Sequence, residues 1–293
     1  MKYTIENEVL RVSVDALGSQ LNSIYCKQDK VEHLWQRDPE VWKNSAPVLF
    51  PQTGRLKDMR FTAKGKEYEG VIHGIAKLFP FSLVSQGDTY LNLELVSNEE
   101  TYAMWPYHFR LESSFVLDGD TLHHTLRVEN LDEDRLFFGA GFHPGFNVPF
   151  DEAHTYKDYV LRFDCVESPL CINTNDNEGL VGNQMYCLGN NITEIPLTEH
   201  LFDNDSHLMM GLKSRTIGLY EKDSGRGVVC SIRNFPYVLL WSQPGAPQYV
   251  CIEPWCSVPS RIDGGYEWEE KPAAAVLQPG EAWDTTMSLA FVR

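Results

Sequence analysis

The sequence predicts an all-β protein: a large antiparallel β-sandwich with few short helices. Three observations carry this expectation. Apolar and polar residues alternate with period two over much of the chain, as in Leu91-Asn92-Leu93-Glu94-Leu95. Turn-forming residues separate such runs at short spacing, as at Lys64-Gly65, Asp118-Gly119-Asp120 and Asp223-Ser224-Gly225. No stretch of three turns or more holds apolar residues at i, i+3, i+4 and i+7.

The elements follow in order. Leu10 to Val14 alternates, and Leu21 to Tyr25 follows a break at Gly18. Pro39 to Lys43 reads as a short helix. Phe61 and Tyr68 flank Lys64-Gly65 as a hairpin. Phe109 to Leu117 and Leu122 to Val128 join through Asp118-Gly119-Asp120 as a second hairpin. Ser168 to Thr198 is rich in Asn and Gly and reads as long connections on a strand scaffold, where sites usually sit. Thr216 to Tyr220, Gly227 to Ile232, Tyr237 to Trp241, Tyr249 to Ile252 and Trp283 to Val292 complete the strands. Each can bury one face and wet the other. No internal repeat or linker interrupts the pattern, so residues 1–293 read as one domain.

Composition narrows the function. The chain has 293 residues, 43% of them hydrophobic, enough to bury a sizeable core without disulfide staples. Its formal net charge of −16 opposes binding to nucleic acid or anionic membranes, which are themselves negative. It favours a neutral ligand. The seven cysteines are odd in number, irregularly spaced and free of C-x-x-C pairs. They read as reduced thiols, with no zinc site among them. The first residues lack an apolar signal core, and no run approaches the roughly 18 apolar residues of a membrane span. The expected location is the cytoplasm.

Four segments place residues that are costly in a core. In Gly141-Phe142-His143-Pro144-Gly145-Phe146-Asn147, two glycines and a proline fix the backbone around an imidazole that titrates near neutrality. Glu253 follows the strand-like Tyr249 to Ile252, and Pro254 is expected to end that strand or mark an edge. Trp255 beside it offers an apolar wall that would raise the carboxyl pKa, as suits a general base. His73-Gly74 lies in a segment poor in charge, where Gly74 permits close approach of a ligand. Arg55, after Gly54, can bond hydroxyls through its planar fork. Singly, each also fits a bland role: a satisfied histidine, a surface glutamate, a salt-bridged arginine.

In combination and order the segments resemble the aldose 1-epimerases, the galactose mutarotase family, in particular its LacX-like branch. The likeness runs over roughly residues 3–292. It includes Leu10-Arg11-Val12-Ser13-Val14-Asp15, Pro51-Gln52-Thr53-Gly54-Arg55-Leu56, His73-Gly74, Trp105-Pro106-Tyr107, Gly141-Phe142-His143-Pro144-Gly145-Phe146, Glu253-Pro254-Trp255 and Leu277-Gln278-Pro279-Gly280-Glu281. The resemblance implies the mutarotase-like supersandwich and a sugar-ring isomerase needing neither metal nor cofactor. Glu253 would be the base on the anomeric hydroxyl and His143 the acid on the ring oxygen. Arg55 and His73 would orient hydroxyls, and Trp105 and Trp255 would pack on the sugar face. The implied partner is a monosaccharide, and the chain a monomer or homodimer.

Two features depart from the family pattern. The mid-chain aspartate that binds hydroxyls has two candidates here, Asp203 and Asp205, with Asp205 preferred. Gly54 stands before Arg55 where galactose mutarotases carry Asn, which puts a galactose preference in doubt. Three other readings compete. A hexose 6-phosphate epimerase would draw its cations from Arg55, Lys57, Arg60 and Lys77. A non-catalytic sugar sensor would keep the pocket without turnover. A glycoside hydrolase or lyase would typically need two carboxylates, and one is evident.

Overall fold

The computed structural model describes residues 1–293. Its largest sheet has nine antiparallel strands. From edge to edge they are Ile192–Pro196, Tyr159–Glu167, Thr216–Glu221, Gly227–Ser231, Ala282–Val292, Thr121–Asn130, Phe109–Asp118, Tyr90–Val96 and Ser82–Gln86. The alternation read from sequence sets this sheet. Along Tyr90–Val96 the residues Leu91, Leu93 and Leu95 are buried, and the intervening ones are not. The hairpin at Asp118-Gly119-Asp120 pairs Phe109–Asp118 with Thr121–Asn130 in unbroken register.

The second sheet has eight strands. In order they are Met185–Cys187, Leu170–Ile172, Ser206–Met210, Tyr237–Trp241, Tyr249–Trp255, Gly141–Phe142 and Val48–Leu49, with Gly145–Asn147 also paired to Tyr249–Trp255. A four-stranded sheet, Lys2–Glu6 to Val31–Glu32, and two small ribbons complete the sandwich. One core of 62 buried apolar residues joins the layers. It takes Leu122, Leu126 and Leu289 from the broad sheet and Val238, Leu240, Val250 and Ile252 from the second.

Two local expectations are corrected. Pro39 to Lys43 forms a turn, not a helix. The Asp38 carbonyl accepts from both Val41 and Trp42, but one turn cannot propagate against the cost of nucleation. The α-helix instead covers Glu99–Met104. The Asn98 side chain caps it by accepting from the N–H groups of Glu100 and Thr101. Six residues are too few for periodicity to reveal. The Asn-rich segment also contributes short strands, at Leu170–Ile172, Met185–Cys187 and Ile192–Pro196.

Candidate active site

Strand alternation places the carboxylate. Along Tyr249–Trp255, Val250 and Ile252 enter the main core, so Cys251, Glu253 and Trp255 point to the opposite face. The strand does not stop at Pro254 as expected; it continues to Trp255. The N–H groups of Ile252 and Cys256 reach the carbonyls of Pro144 and Ala140. Pro254 therefore sits where the facing chain leaves the ladder, and no donor is missed.

That break holds His143. Gly141 pairs with Trp255, and Gly145 pairs with Cys251. Residue 143, midway between them, is thereby level with residue 253. His143 Nε2 lies 3.4 Å from Glu253 Oε2. The same Oε2 accepts a 3.1 Å hydrogen bond from Trp255 Nε1. Glu253 Oε1 and His143 Nδ1 are buried without partners. Two groups that sequence separates by more than a hundred residues are thus neighbours by register alone.

Aromatic rings frame the pair. Trp42 stacks on His143 with centroids 5.1 Å apart and meets Trp241 edge-on at 5.3 Å. His73 stands edge-on to His143 at 5.2 Å and to Trp255 at 5.7 Å. The backbone of His73 and Gly74 is left-handed, with φ of 64° and 77°. A Cβ on Gly74 would lie 2.2 Å from the Phe50 carbonyl oxygen, so only glycine fits there.

Together these groups line a cavity of about 290 Å³, near the small end for ligand sites (roughly 300–1,000 Å³). Arg55, His73, Lys77, His143, Asp205, Trp241, Glu253 and Trp255 all line it. Of the two aspartates, Asp205 is the one at the cavity. It accepts a 2.8 Å hydrogen bond from Trp241 Nε1. Asp203 lies outside and pairs with the exposed His200 at 2.8 Å. Trp105 is a correction. It is buried in the core against Phe50, Phe109 and Trp268 and does not line the cavity. An indole so placed contributes apolar burial, not a sugar platform.

Sequence reasoning missed Trp42 and Trp241 and offered Lys77 only as a phosphate-binding cation. Trp241 ends a strand whose two faces are both apolar, Val238 and Leu240 against Tyr237, Leu239 and Trp241. Such a strand is covered on both sides, which was a usable signal. Thr174 and Gly179, from the Asn-rich connection, also line the cavity, as its composition suggested.

Burial dominates the electrostatics. It pushes the Glu253 carboxyl well above the ordinary range, with Trp255 opposing and Asp205 adding to the rise. It pulls His143 down to about 3 and His73 well below 6.5. Lys77 is also lowered by burial, with Lys43 adding to the effect, and its Nζ donates to the Ile72 carbonyl at 2.6 Å. Both shifts favour the neutral forms, a protonated Glu253 beside an unprotonated His143, so the pair carries one proton between them. A pair that can give one proton while taking another is suited to acid–base exchange on a bound hydroxyl.

Comparison with known proteins agrees. The family model described as aldose 1-epimerase matches residues 1–290. The chain is 31% identical over 286 residues to the plasmid-encoded protein LacX of Lactococcus lactis subsp. lactis, covering 95% of each. The crystal structure of a galactose mutarotase related enzyme from Lactobacillus acidophilus superposes with a TM-score of 0.94 at 29% identity, covering 100% of this chain and 98% of that one. A galactose mutarotase-like protein from Lactobacillus casei shares the fold, with a TM-score of 0.91 at 24% identity over the whole of both chains. No helix is long and apolar enough to cross a membrane. By the match along almost its full length, the chain belongs to the aldose 1-epimerase family, isomerases that act on sugars.

Proposed function

We propose that this chain is a cofactor-independent mutarotase that interconverts the α and β anomers of a free hexose, within one domain spanning residues 1–293. The observation that carries the reading is the 3.4 Å contact between His143 Nε2 and Glu253 Oε2 inside a sugar-sized cavity. Transfer of the pair's one proton from Glu253 to His143, across their 3.4 Å contact, leaves a carboxylate that takes the proton of the C1 hydroxyl. The protonated His143 gives its proton to the ring oxygen O5. The C1–O5 bond breaks, C1 becomes the aldehyde carbon, and rotation about C1–C2 presents the other carbonyl face. Reversal of both transfers closes the ring as the other anomer. The pair begins and ends each half-reaction with one proton, so solvent need supply none.

The remaining groups position the sugar. His73 Nε2–H and the Arg55 guanidinium donate to hydroxyls, Asp205 accepts from them, and Trp255 and Trp241 offer apolar walls. Asp203 and Trp105 have no part. The seven cysteines are unpaired, which fits a reducing, cytoplasmic setting.

Charge placement favours a neutral sugar over a hexose 6-phosphate. Of the four candidate cations, Arg55 and Lys77 line the cavity. Lys57 donates to the Gly264 carbonyl, and Arg60 lies over the Tyr266 ring with a carboxylate partner in Glu67. A dianion would find half the expected cluster. Anomer exchange followed by NMR or polarimetry, across free and phosphorylated hexoses, tests the proposal. Accelerated exchange of a free hexose is expected. Sugar binding without acceleration would make the protein a sensor, and acceleration confined to 6-phosphates would reverse the substrate assignment.

A further inference from the structure

The strand that presents Glu253 also presents Cys251, two residues earlier on the same face. His143 faces both. One ligand atom from each of His143, Cys251 and Glu253 lies within 4.8 Å of the other two. All three side chains are buried, and Cys251 is in no disulfide. Glu253 Oε1 and His143 Nδ1 lack partners. Buried lone pairs without protein partners are costly unless a ligand satisfies them.

We propose that these three residues form an inhibitory site for Zn²⁺ or a similar borderline-soft divalent cation. Imidazole, thiolate and carboxylate together suit zinc and disfavour magnesium or calcium. Bond lengths of roughly 2.0–2.3 Å put tetrahedral ligands about 3.3–3.6 Å apart, so side-chain rotations closing about 1 Å complete the set. The fourth position opens to the cavity, where water or a sugar hydroxyl completes the shell.

The charge balances. Before binding, one proton is shared by His143 and Glu253, and one sits on the Cys251 sulfur. Zn²⁺ replaces both, and they pass to solvent. The site is neutral before and after, which avoids burying a net charge. A second cluster provides the contrast. Asp151, His154 and Glu221 also converge, but the Arg226 guanidinium already bonds both carboxylates. That cluster holds its cation as a side chain.

The metal site stands on geometry; its inhibitory effect rests on the enzymatic reading above. Two measurements separate them. Titration of the whole protein with Co²⁺ is expected to give a saturable near-ultraviolet thiolate-to-cobalt band at one equivalent, abolished by Zn²⁺. Cys251→Ser and Cys251→Ala should remove the band and weaken Zn²⁺ binding by more than the roughly 10–100-fold typical of losing an outer-shell partner. If those variants misfold, Glu253→Gln, which keeps the thiol and the shape, should weaken Co²⁺ binding instead. Absence of the band, or its persistence without Cys251, overturns the site. Zn²⁺ should also arrest anomer exchange, and EDTA should restore it. Zn²⁺ binding with the cobalt signature but undiminished exchange would overturn the catalytic assignment of His143 and Glu253 and leave the metal site standing.

Discussion

Gly54 and His73 hold each other by two hydrogen bonds: the Gly54 N–H donates to His73 Nδ1 at 3.1 Å, and the His73 N–H donates to the Gly54 carbonyl at 2.9 Å. The first bond makes Nδ1 an acceptor, so the ring proton must reside on Nε2. A backbone contact in one loop thereby decides which hydrogen-bonding face the imidazole in the next segment offers the cavity.

His73→Asn tests this. The asparagine Oδ1 can take the place of Nδ1 and keep the Gly54 contact, while the Nε2–H donor is lost. Folding should be unchanged. Exchange activity, as kcat/KM, should fall about 10-fold, the loss expected for one neutral hydrogen bond. A wild-type rate would place His73 outside the sugar contacts.

Glu253→Gln removes the proposed base and preserves volume. The amide oxygen can still accept from Trp255 Nε1, so the site should keep its shape. Catalysed anomer exchange should drop by roughly 10²–10⁴-fold. Circular dichroism and cavity occupancy by sugar should be retained. Undiminished exchange in a folded variant would refute the base assignment.

His143→Asn addresses the acid. It removes the imidazole proposed to serve O5 but leaves a polar side chain against Trp42. Turnover should fall by at least ~10²-fold, with the loss in kcat more than in KM. Equal activity would mean that the ring oxygen takes its proton from elsewhere.

The sandwich was legible because strand alternation is a local property of sequence. His143 and Glu253 were legible as candidates, through the Gly-Phe-His-Pro-Gly and Glu-Pro-Trp segments and their family resemblance. Their relative geometry was not, since it depends on the register Gly141 to Trp255 and Gly145 to Cys251, which no local pattern specifies. Pro254 misled for the same reason: a proline breaks a strand only where the ladder needs its N–H, and that depends on the neighbour. Trp105 misled because an aromatic beside a proline reads alike in a core and in a site. Trp42 was hidden in a turn, and only tertiary contact with His143 gives it meaning.

Acid stability reports on the buried histidines, those of the site and two away from it, His124 and His33. His124 is buried, stacks on Phe115 with ring centroids 4.1 Å apart, and shares a 2.8 Å hydrogen bond with Ser113. Burial lowers its pKa to about 3 from an ordinary 6.5. Burial likewise takes His33 to about 4. A depressed pKa means that the unfolded chain binds the proton more readily. Each histidine's contribution is therefore present above pH 6.5 and lost as pH falls toward its folded value. The loss is about 1.4 kcal/mol per unit of pH for each group. The Tm should decline steeply from pH 6.5 to 4, and His124→Gln should flatten that decline while lowering the Tm at pH 7. An unchanged slope in the variant would show that His124 is already protonated in the folded protein.

Gly74 ties the loop strain to the chemistry. Its φ of 77° lies where side chains rarely go, and a Cβ there would sit 2.2 Å from the Phe50 carbonyl oxygen, a main-chain atom that cannot rotate away. Gly74→Ala must push apart the His73–Gly74 turn and the chain at Phe50-Pro51. The strain alone is worth about 1–3 kcal/mol, and the displacement moves His73, whose ring faces both His143 and Trp255. The variant should therefore lose stability and activity together. His73→Asn should lose activity alone. Measuring Tm and anomer exchange on both variants separates a scaffold effect from a lost donor, and a Gly74→Ala protein with native Tm would mean that the loop relaxes at no cost.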